Sequence, residues 1–143
     1  MKRVLVPSFL LLALGFLAGC ASYSASHQRS LADTRRFFVL SNANDNRALD
    51  HQIATALRAR GFEADTGPLT MMPDDAQVVV TYQDQWTWDF GDHLVYLQIS
   101  VRSRRSPSQH LATATFSTRL PTRKPTDGIV AELVGKLLES GKP

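Results

Sequence analysis

Between Ala76 and Leu120 apolar residues fall on alternate positions. Val78, Val80, Tyr82, Trp86, Trp88 and Phe90 share one side with Asp84, while Gln77, Thr81, Gln83, Gln85, Thr87 and Asp89 take the other. A period of two is that of a strand with one buried face. Residues 90–92 (FGD) read as a turn, and 93–102 resume the alternation with Val95, Leu97, Ile99 and Val101 together. A second turn at 103–109 leads into a third long strand over 111–120, rich in Thr and Ala.

Elsewhere the period is helical. Leu49, Ile53, Ala56, Leu57 and Arg60 recur at helical spacing, with Asp45 or Asn46 placed to cap the start and Gly61 placed to end the helix in a left-handed conformation. Near the C-terminus, Thr126 reads as an N-cap, followed by a stripe of Ile129, Val130, Leu133, Val134, Leu137 and Leu138. The β-branched and aromatic run 36–40 (RFFVL), bounded by SNANDN, predicts a first strand, and 62–65 a short edge strand. The order β-α-(β)-β-β-β-α predicts an α+β domain: an antiparallel sheet of four to five strands with two amphipathic helices packed on one face. Helices of this length cover part of a sheet, so Val78 and Val80 are expected beneath them and the Trp pair beyond.

The first 19 residues belong to none of this. Lys2 and Arg3 precede an apolar stretch over 4–17, and Ala18 and Gly19 are small. This is the pattern of a secretory signal peptide, and its apolar core is short of the roughly 20 residues a helix needs to span a bilayer. The sole cysteine, Cys20, follows directly. With one cysteine there is no intrachain disulfide to supplement the core. Residues 20–34, rich in Ser and Ala, read as a flexible tether. Residues 35–143 then form a single domain, since just over 100 residues suffice for one modest core.

The run Leu17-Ala18-Gly19-Cys20 resembles the lipobox of bacterial lipoproteins. That resemblance implies a diacylglycerol on the Cys20 thiol, cleavage before it and acylation of the new amine. Ala21, where lipoproteins retained in the inner membrane carry Asp, implies an outer-membrane, periplasm-facing address. The plan of lipobox, Ser-rich segment, ALRARGFEA, YQDQWTWD and LVYLQISV also resembles a group of small proteobacterial lipoproteins whose domain has no assigned function. It implies an architecture and an address, and no catalytic residues.

Charge adds little. The formal net charge is +3, and loss of Lys2 and Arg3 with the leader leaves 14 basic against 13 acidic side chains, or +1. Nothing here points to nucleic acid. The membrane, through the lipid, is the expected partner, together with an envelope protein or glycolipid.

Candidate chemistry is sparse. His27, His51, His93 and His110 lack metal-ligand spacing, and no nucleophile elbow or phosphate loop occurs, so no metal, cofactor or catalytic residue is expected. Asp89 and Asp92 beside His93 would serve a small hydrolase as acid and base, the alternative to a non-catalytic binding domain; turn chemistry explains them equally. Asp74 and Asp75 read as a solvated loop. Two groups stand out as binding candidates. Trp86, Trp88, Phe90 and Tyr96 form a candidate partner surface, because Trp and Tyr pair an apolar body with a polar edge; a core role is the competing reading. Arg102, Arg104 and Arg105 form a candidate site for anions or lipid headgroups, with Arg119, Arg123 and Lys124 near the next strand's end. A charged edge that deters strand addition explains the arginines too.

Overall fold

The computed structural model describes residues 20–89 and 91–139; the leader and Phe90 lie outside the described residues. The elements run β1 (Ser22–His27), β2 (Arg36–Leu40), α1 (Leu49–Arg58), β3 (Glu63–Gly67), a 3-10 turn (Leu69–Met71), β4 (Val78–Thr87), β5 (His93–Ser103), β6 (His110–Ser117) and α2 (Thr126–Leu138). The class is α+β, as the patterning predicts. One sheet of six strands has the order β1-β6-β5-β4-β2-β3.

Two features of the sheet correct the expected one. The first is direction. β4-β5 and β5-β6 are antiparallel hairpins, but β2 runs parallel to both β3 and β4. The cause is α1, which returns the chain to the end where β2 began, so that β3 must run alongside β2 rather than against it. The second is the sixth strand. Ser22–His27, read as tether, pairs antiparallel with β6 from Ser22↔Ser117 to His27↔Ala112. The Ser residues alternate with Tyr23, Ala25 and His27. Tyr23 packs on Phe116 with ring centroids 5.0 Å apart, and His27 Nε2 hydrogen-bonds the Leu137 carbonyl at 2.9 Å.

Both helices lie on one face. Beneath them are Phe37, Val39, Val78, Val80, Tyr82, Leu97, Ile99, Val101, Ala114 and Phe116, meeting Leu49, Ile53, Leu57, Ile129, Leu133 and Leu137. Arg60 ties the helices together by donating to the Ala131 carbonyl at 2.8 Å. Gly61, at φ 87°, closes α1 with the paired bonds Gly61 N to Arg58 O and Phe62 N to Leu57 O. The starts differ from expectation. Ala48 is the residue before α1, in a left-handed conformation, and Pro125 precedes α2 with Thr126 already helical. Asp45 still serves α1 from outside: its carboxylate accepts the Leu49 amide at 2.7 Å and the Arg47 amide at 2.8 Å.

On the other face Phe38 is buried beside Gly67 and Met71 of the 3-10 turn. Much of the rest of that face is polar. Thr81, Gln83, Gln98, Ser100, Arg102, His110 and Thr113 line a cleft of about 300 Å³ across β4, β5 and β6.

Candidate functional site

The strand registers sort the candidate residues onto the two ends of the sheet. Ser22, Ser117, Tyr96, Gln85 and the β4-β5 turn share one end. The N-termini of α1 and α2 lie there as well, since each helix runs back from it. His27, Arg102, Ser103, Val78 and Arg36 share the other. Cys20, exposed, is two residues ahead of β1 and so belongs to the first end. Arg102, Arg104 and Arg105 belong to the second, about 30 Å away by the ten residues of β4. There Arg104 pairs at 3.4 Å with Asp74, whose side chain stays fully exposed as a solvated loop residue, and Arg36 bridges Glu63 and Asp75. Arg102 faces the polar cleft.

The aromatic group is divided. Trp86 pairs with Leu94 and Gln85 with Tyr96, so Val95 is an extra residue in β5. This bulge turns Leu94 onto the core face in place of the expected Val95. Trp86 packs half-buried against the core, whereas Tyr96, next to core-facing Leu97, lies on the opposite face. Trp88 is past the end of β4 and 79% exposed. The four residues therefore do not form one patch: Trp86 is core-linked, Trp88 is free at the turn, Tyr96 is on the bare face, and Phe90 lies outside the described residues.

Trp86 is the hub of a polar network that sequence spacing gives no sign of. Its indole N–H donates to Asp84 at 2.6 Å. The Arg47 guanidinium stacks over the ring, 3.7 Å from its centroid, and pairs with Asp92. This joins the loop before α1 to the β4-β5 turn. One step inward, the Tyr82 hydroxyl donates to Asp45 at 2.7 Å and accepts the Asn42 amide at 3.3 Å. Burial pushes the Asp45 carboxyl up, but the bonds from Tyr82 and the amides of Arg47, Leu49 and Asp50 outweigh it and hold the group below its ordinary value. Burial, then the bond to Asp45, pushes the Tyr82 phenol well above its ordinary value. Asp92, one of the carboxylates suggested for hydrolysis, is thereby tied to Arg47. Among the described residues, no group of three or more His, Cys, Asp and Glu is placed to hold a metal ion.

Beside this turn runs the segment after β6. Asp92, His93, Thr122, Lys124 and Thr126 line a shared hollow. The Thr118 hydroxyl donates to the Leu120 carbonyl at 2.8 Å and accepts its amide at 3.3 Å, a tight turn that leaves Leu120 53% exposed. Lys124 pairs with Glu132 and lies 5.4 Å from the Tyr23 ring centroid, bringing this segment against the start of β1. Burial and the Glu132 charge raise the Tyr23 phenol above its ordinary value; hydrogen bonding to Glu132 raises Lys124.

No protein-family model matches the chain, and no curated protein matches it. Among solved structures, the PelC dodecamer from Paraburkholderia phytofirmans is 18% identical, with a TM-score of 0.60 over 83% of this chain and 96% of PelC. A point variant of the same dodecamer is 17% identical, with a TM-score of 0.60 over 83% of this chain and 95% of that one. At that identity the likeness is one of fold: the chain is built like PelC.

Proposed function

We propose that the protein is an outer-membrane lipoprotein, anchored through Cys20 and facing the periplasm, whose domain is a non-catalytic binding or accessory module for another envelope component. The observation that carries this reading is the junction at Cys20: a charged and apolar leader ends on the only cysteine, which is exposed beside the first strand. An acylated thiol there has free access to a membrane, and two or more acyl chains suffice for stable anchoring. Ties such as Asp92 to Arg47 favour a structural role for the turn carboxylates over a hydrolase. The decisive experiment is labelling with a fatty-acid analogue. Wild-type protein should take up label and sediment with membranes, and Cys20→Ala should do neither; unlabelled, soluble wild-type protein would end the proposal.

A second reading is self-association, which the dodecameric state of the PelC structures suggests. The bare polar face of the sheet and the outer edge of β1, which has no Pro and no charge over Ser22–Ser26, are the surfaces that favour it. Light scattering of the detergent-solubilised protein tests it: a single mass several times that of one chain supports assembly, and a monomer mass rejects it.

A further inference from the structure

We propose that the domain lies directly on the bilayer, with the end of the sheet that carries Cys20 pressed into the lipid interface through Trp88 and Leu120. This rests on the lipid anchor proposed above and adds what the fold does with it. If residues 20–34 were a flexible tether, the domain could stand well clear of the membrane. Instead β1 begins at Ser22, and only Ala21 separates it from Cys20. Two residues span about 7 Å at full extension. The strand is fixed along its whole length to β6, so this end of the sheet cannot retreat from its own anchor.

What that end displays suits a lipid surface. Trp88 opens the β4-β5 turn, where the Gly91 amide bonds the Trp88 carbonyl and Gly91 takes φ 114°. Leu120 projects from the neighbouring segment. Of the large apolar side chains among the described residues, Trp88, Leu120, Leu69 and Met71 are the exposed ones, and the first two sit at the anchored end. Trp favours the headgroup level of a bilayer, where its apolar ring and polar N–H are both accommodated. Arg119 and Arg123, both exposed, flank Leu120 at a height where they meet lipid phosphates. By contrast Arg102, Arg104 and Arg105 lie at the opposite end of the sheet, about 30 Å from the bilayer by the length of β4. The occupant of the surface is thus the membrane that holds the anchor, and the far end is left for the periplasm.

The test uses the full lipidated protein in vesicles of phosphatidylcholine and phosphatidylglycerol, with and without lipids brominated near the glycerol end of the chain. Trp86 and Trp88 are the only tryptophans. A ring held roughly 5–10 Å into the interface is within reach of shallow bromines, so brominated lipid should remove about half of the wild-type fluorescence. The Trp88→Phe protein should lose almost none. Equal emission from wild-type protein in both vesicles, or quenching that persists in Trp88→Phe, overturns the proposal. Acylation is read separately from the mass of the same sample. Acylated protein without quenching rejects the close apposition alone, whereas absent acylation rejects the anchor on which it rests.

Discussion

Tyr82→Phe removes one oxygen from the network that fixes the loop before α1, and its cost follows from the geometry. The hydroxyl, on a side chain buried in the core, donates to Asp45 at 2.7 Å. A hydrogen bond to a charged group contributes about 1.5–3 kcal/mol, against roughly 0.5–1.5 kcal/mol for a neutral pair. The Phe variant fills the same space, so the expected loss at pH 7 is about 2 kcal/mol, or a fall in Tm of about 8 °C for a domain of this size. Acidification supplies the control. The folded-state pKa of Asp45 is depressed, so its contribution is present above the unfolded carboxylate pKa of about 3.9 and is lost as pH falls through the lower folded value. The difference between wild type and Tyr82→Phe should therefore shrink to about 1 kcal/mol in acid, and Asp45→Asn, which keeps a neutral acceptor, should shrink it to about the same size at pH 7. Urea titrations of wild type, the two single variants and the double variant measure this. A loss under 0.5 kcal/mol at pH 7, or one unchanged by acid and by Asp45→Asn, would refute the reasoning.

Other substitutions separate surface from core. Trp88→Ala should change stability by less than about 0.5 kcal/mol, as exposed positions do, while Trp86→Ala, which loses core contact and the Arg47 stack, should cost roughly 2–3 kcal/mol; equal losses in thermal melts would contradict the division of the pair. Gly61→Ala meets no atom within 4 Å but keeps φ 87°, so strain alone should cost about 1 kcal/mol, read by urea midpoint. Phe116→Ala, beneath α2 and against Tyr23, should cost about 3–5 kcal/mol and expose the β1-β6 pairing to hydrogen exchange.

How much of this was legible differs by element. The helices, the β4-β5-β6 hairpins and Gly61 follow from period and turn chemistry, because each is determined by its own residues. The parallel pairing of β2 is not local: it depends on where α1 returns the chain. β1 was obscured by composition. Ser and Ala suggest a tether, and what makes 22–27 a strand is a partner 85 to 95 residues away. Its faint signal was the alternation of Tyr23, Ala25 and His27 with serines. Period two correctly placed Val78 and Val80 under the helices and let Trp88 emerge. It could not foresee the bulge at Val95, which puts Leu94 rather than Val95 on the core face. The Arg47 to Asp92 tie spans two loops and leaves no spacing to read.

The central claim is that Cys20 carries the anchor that seats the domain on the membrane, and the mass of the protein purified from membranes tests it most directly. The chain should begin at Cys20, without residues 1–19, and its N-terminal peptide should carry a diacylglyceryl group on sulfur and an acyl group on the amine. A mature chain with unmodified Cys20, or one starting at another residue, would contradict it.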